Sequence, residues 1–189
     1  MGDPAELFNQ ALRAIELGRA ELAVDRLERV LALDPSDHEA AGLLVDLWRD
    51  AGRLDLAEEL LALLSEVVPE HIDYLIGLAD LRLARGEPQR AAQALRRALE
   101  LQPGSWEALH LLGDAFADVS AWAEAVKVYR LSLESNPFSA DVWHNLAVAL
   151  GHLGSPLEAA EAWEAYLRCQ PEAEDRAEIE ALIRAAREP

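Results

Sequence analysis

Residues 106–139 read WEALHLLGDAFADVSAWAEAVKVYRLSLESNPFS, and two amphipathic helices can be read directly from them. Leu109, Leu112, Gly113 and Phe116 recur at three- and four-residue spacing, a break follows at Ser120, and Ala125 and Tyr129 resume the pattern until Pro137 stops it. The same order returns on either side. Pro35, Pro69, Pro103, Pro137 and Pro171 stand 34 residues apart. In register with them come Gly18, Gly52, Gly86, Ser120 and Gly154, where a chain leaving one helix for the next calls for positive φ.

Three further columns share the period. One is alanine throughout: Ala23, Ala57, Ala91, Ala125 and Ala159. A second is small, with Ala11, Val45, Ala79, Gly113 and Ala147, as needed where helix axes approach within about 8–10 Å. A third is large, with Leu27, Leu61, Leu95, Tyr129 and Trp163. Repeats of this length with these columns describe a tandem array of helix pairs. The units fall at about 4–37, 38–71, 72–105, 106–139 and 140–173, within one domain of residues 1–189. Residues 174–187 read as a terminal capping helix with Ile179, Leu182 and Ile183 inward and Glu180 and Arg184 outward. Two positions depart from the pattern. Gln10 stands where a core residue is expected, and Arg82 occupies a column filled elsewhere by Ala14, Trp48, Phe116 and Leu150, a place from which it must reach solvent or a carboxylate.

On Leu109, Leu112, Gly113, Phe116, Ala125, Tyr129 and Pro137, and on Trp143, Leu146, Ala147, Leu150, Ala159 and Pro171, the chain resembles the tetratricopeptide repeat proteins. The resemblance implies an all-α, right-handed superhelical solenoid of antiparallel helix pairs, with first helices lining a concave groove. It also implies a protein-interaction module without catalytic activity or cofactor. The carboxylate-clamp version of the fold needs Lys, Arg and Asn in the groove, where this chain has Phe8, Leu12, Asp46, Asp73 and Gly77, so chaperone-tail binding is not implied.

The chain carries 35 acidic against 17 basic residues, a formal net charge of −18, which excludes the basic stripe that nucleic acid requires and disfavours anionic membrane. All the bases except Lys127 are arginine, as in proteins from GC-rich bacterial genomes. Cys169 is the only cysteine, so neither an internal disulfide nor a cysteine-based metal site can form. The first residues, MGDPAELF, are polar, and Gly2 lacks the downstream Ser or Thr of an N-myristoylation signal. A cytoplasmic protein without membrane insertion is expected. No nucleophile elbow, phosphate-binding glycine loop or HExxH sequence is present, and no enzyme is expected.

If first helices line the groove, its wall is acidic: Asp46, Asp50, Asp73, Asp80, Asp114, Asp118 and Asp141, with His110, His144 and Asn145 among them. Asp46, Asp80 and Asp114 form one column in mid-helix, where Asp has poor propensity and nothing to cap. Glu39, Asp73, Glu107 and Asp141 lie in first turns, which favour carboxylates for helix-dipole reasons alone. His110, Asp114 and His144 have metal-ligand chemistry, but their spacing is that of the repeat, and ordinary polar contacts are expected of them. The partner by charge is a basic or amphipathic protein segment. An alternative is a self-assembling scaffold, docked through Phe8, Leu12 and Ile15, of the kind that organises bacterial secretion, pilus or envelope assemblies.

Overall fold

A helix that must reverse within a few residues needs one left-handed residue at its end, and the glycine column supplies it. In a computed structural model, which describes residues 3–188, Gly18, Gly52, Gly86 and Gly154 have φ between 65° and 72°. Ser120 adopts the same conformation at φ 58° although it is not glycine. Each of these turns closes with the residue after it bonding back across the last helical turn, as Arg19 N–H does to Ala14 O and Ala121 N–H to Phe116 O, both at 2.8 Å. Met1 and Gly2, the lipidation position among them, lie outside the described residues.

Eleven helices are found among the described residues: α1 Pro4–Glu16, α2 Ala20–Leu33, α3 His38–Asp50, α4 Leu54–Val67, α5 Ile72–Ala84, α6 Pro88–Leu101, α7 Trp106–Asp118, α8 Trp122–Ser135, α9 Ala140–His152, α10 Pro156–Cys169 and α11 Arg176–Arg187. They are five helix pairs followed by a capping helix. Contacts group the chain into two compact units, one ending at Leu81 and the other beginning at Arg82.

In the first unit α1 packs on α2, α2 on α3, and α3 on α4. Ala11, Ala23, Leu27, Ala57 and Ala79 have no measurable exposure, so the small and large columns meet in the core as their sizes demand. Gln10 is exposed and accepts a hydrogen bond from Arg26 Nε at 3.0 Å. Its column is core in later repeats, but α1 has no preceding helix among the described residues to cover it. Asp37 caps α3 by accepting from Ala40 N–H at 2.9 Å.

In the second unit α7 packs on α8, α8 on α9, α9 on α10 and α10 on α11, while α6 packs on α7. Buried Ser105 caps α7, accepting from Ala108 N–H at 3.3 Å. Half-buried Arg82 directs one guanidinium N–H to the carbonyl of Arg90, at 3.2 Å. Cys169, half-buried, ends α10. The capping helix buries Ile179 and Ile183 as expected, but Leu182 is 49% exposed. The inward assignment of Leu182 is therefore corrected. It lies one residue from Ile183, about 100° around the helix, and so falls on the wall of a cavity shared with α9 and α10 instead of in the core.

Candidate functional site

Helix α7 carries a glycine where α8 carries a tyrosine, and the polar site grows from that exchange of volume. A Cβ on Gly113 would stand 2.2 Å from the Tyr129 ring, so only glycine lets the ring lie flat on α7. So placed, the buried Tyr129 hydroxyl donates to Asp114 Oδ1 at 2.6 Å. Burial, with the charge of Asp114 behind it, raises the phenol far above its ordinary range, so the hydroxyl remains a donor.

Asn145 on α9 reaches the same carboxylate. Its Nδ2 donates to Asp114 Oδ1 at 2.9 Å and lies 3.2 Å from His110 Nε2, and its Oδ1 lies 3.2 Å from His144 Nδ1. His110 Nε2 stands 3.5 Å from Asp114 Oδ2. His144 meets Trp163 and Tyr166 edge-on, at centroid separations of 4.9 and 5.6 Å. Tyr166 donates to Asp175 at 3.2 Å. A half-buried polar ladder thus runs from α7 through α9 to the start of α11. Asn145 stands between the two histidines, and among the described residues no three metal-ligating side chains converge.

Asp118 and Asp141 are exposed at opposite ends of their helices. Partial burial and the charge of Asp114 raise the Asp118 carboxyl above its ordinary value. Just past it, Trp122 stacks on His152 with ring planes 6° apart and centroids at 3.9 Å. Beside that stack is a cavity of about 430 Å³ between α9, α10 and α11, lined by Val148, Gly151, His152, Pro156, Trp163 and Leu182 among others. A second cavity, about 550 Å³, lies between α8, α9 and α10, with Trp143 on one wall and the Arg130–Glu158 ion pair, 2.5 Å, at its edge.

The first unit gathers its acids differently. Asp46, Asp50 and Asp73 are exposed, but Asp80 pairs with Arg49 at 2.8 Å. Arg49 lies on a first helix, in the last turn of α3. It neutralises one member of the aspartate column. His38, His71 and Tyr74, not singled out in the sequence, form a ring cluster with centroids 3.9 Å apart between the histidines and 4.7 Å between His71 and Tyr74. His38 Nδ1 meets the Tyr74 hydroxyl. No common column links His38 to His71, so the repeat gave no signal of the cluster. Phe8, Leu12 and Ile15 are half-buried along α1, whose fully buried side is Leu7, Ala11 and Ala14.

Models of the tetratricopeptide repeat family match residues 14–81, 76–140 and 122–174. The chain belongs to the tetratricopeptide repeat family. Solved structures agree with the fold of this repeat protein. A MamA protein is similar at TM-score 0.75 and 20% identity over 93% of this chain and 94% of its own. YrrB, described as a TPR protein with an unusual peptide-binding site, is similar at 0.71 and 21% over 95% and 92%. A MamA fragment from Desulfovibrio magneticus RS-1 is similar at 0.76 and 18% over 92% and 99%. No curated protein sequence matches the repeat chain. Among its described residues no helix is long and apolar enough to cross a membrane.

Proposed function

We propose that this tetratricopeptide repeat protein is a non-catalytic adaptor that captures a basic or amphipathic segment of a partner protein on its acidic first-helix faces. Tetratricopeptide repeat proteins generally mediate protein–protein interactions, and YrrB is an array of this fold with a peptide-binding site. The observation that carries the proposal is the set of exposed first-helix carboxylates, Asp46, Asp50, Asp73, Asp118 and Asp141, in a chain of net charge −18. Asp80 and Asp114 belong to a different class. Their carboxylates are engaged by Arg49 and by Tyr129 and Asn145, so they shape the surface that the exposed acids present.

The test is binding of a panel of labelled arginine-rich and glutamate-rich peptides, read by fluorescence anisotropy at low and high salt. Arginine-rich peptides are expected to bind selectively, to weaken with salt, and to lose affinity for a combined Asp46→Asn, Asp118→Asn, Asp141→Asn variant. Equal binding of that variant would remove the acids from the site. A second reading, self-assembly, rests on Phe8, Leu12 and Ile15, which remain half-exposed on α1. Light scattering over a concentration series decides it, because a monomer at high micromolar concentration sets it aside.

A further inference from the structure

In the second unit the column that begins with aspartates changes character. Asp114 on α7 is followed, one repeat on, by Val148 on α9, and then by Leu182 on α11. Val148 is 37% and Leu182 49% exposed, and both face the 430 Å³ cavity whose floor is Pro156 and Trp163 of α10. The neighbouring column runs Asp118, His152 and Ala186 and makes the same change. His152 is held at the cavity rim by its stack on Trp122. Gly151 opens the wall further, since a Cβ there would touch nothing within 4 Å. An apolar niche therefore stands one helix spacing, about 10 Å, from exposed acid.

Building on the adaptor reading, we infer that the niche between α9, α10 and α11 anchors one large apolar side chain of the partner segment, whose nearby arginine or lysine rests on Asp118. Charge complementarity selects this occupant. No lysine or arginine lines the niche, while Asp118 sits at the end of α7 with Asp114 one turn before it, so a bound cation relieves a like-charge pair. An extended segment rises about 3.3 Å per residue, so the two side chains stand two to four residues apart in the partner. The apolar contact supplies affinity and the charge supplies selection.

The probes are synthetic twelve-residue peptides with one leucine and one arginine two, three or four residues apart, each matched by a Leu→Ala and an Arg→Gln control. For the best spacing, Leu→Ala is expected to weaken binding about tenfold or more, the order set by burying one leucine side chain. Gly151→Leu, whose Cβ meets nothing within 4 Å, places a side chain at the niche wall and should produce the same loss for the leucine peptide while leaving the alanine control unchanged. Leu182→Ala, which removes a wall, is the independent second variant and should weaken the leucine peptide alone. Thermal melts confirm that both variants fold. Binding that needs arginine but is indifferent to leucine, Gly151→Leu and Leu182→Ala overturns the niche and leaves the acidic adaptor standing. Binding that needs leucine but not arginine overturns the inference as stated and the adaptor reading with it, as does the absence of binding by every peptide.

Discussion

Gly113 and Tyr129 show how a single atom can organise a surface. The ring needs the space that a Cβ would take, and once seated it fixes Asp114, which fixes Asn145. Gly113→Ala is expected to destabilise the chain by about 1–3 kcal/mol despite the better helix propensity of alanine, because the buried ring must move. Tyr129→Phe keeps the packing and loses a hydrogen bond to a carboxylate, at a cost of about 1–2 kcal/mol. Urea unfolding midpoints measure both. Asp118 behaves oppositely. Its carboxyl is raised by burial and by Asp114, so the folded chain holds that proton more tightly than the unfolded one. The stability from this group is fully present below the ordinary value of 3.8 and is lost as pH rises through the raised value. Asp118→Asn should therefore stabilise by about 0.3 kcal/mol at neutral pH. Unfolding curves across pH test this, and the gain should vanish below pH 3.8.

Each helix pair is joined by the same left-handed turn, and Ser120 makes that turn without glycine's freedom, at φ 58°. Ser120→Gly is expected to stabilise by about 0.5–1 kcal/mol in thermal unfolding, since the side chain is exposed and the backbone strain disappears. Elements of this kind were legible from the chain itself. The spacing of glycine and proline marks the turns and helix ends of the five pairs, Ser120 apart, and the alanine column marks the helix crossings. The capping helix was legible in position and in the facing of Ile179 and Ile183 but not of Leu182, because Leu182 and Ile183 are adjacent and periodicity alone does not say which of two neighbours turns inward. The acids were legible as a column but not as individuals. Whether an aspartate meets solvent, Arg49 or Tyr129 depends on the rotamers of residues a helix away, and the column carries no record of those. The ring cluster of His38, His71 and Tyr74 breaks the repeat register, so nothing periodic announced it.

At the scale of the whole molecule, charge is the dominant unbalanced quantity. Exposed ion pairs such as Arg130–Glu158, Arg176–Glu180 and Arg187–Glu164 contribute about 0–1 kcal/mol each, whereas a net charge of −18 repels itself throughout. Added salt screens both, and the repulsion is the larger. Raising sodium chloride from low to half-molar concentration is therefore expected to raise the melting temperature by roughly 2–5 °C, as read by circular dichroism. A fall would mean that the ion pairs outweigh the excess of acid. The parallel stack of Trp122 on His152 has an optical consequence. An imidazolium in face contact quenches an indole's excited state far more than a neutral ring does, so at acidic pH a ligand that parts the two rings brightens Trp122. The chain then carries its own gauge of occupancy, readable as emitted light without dye or tag.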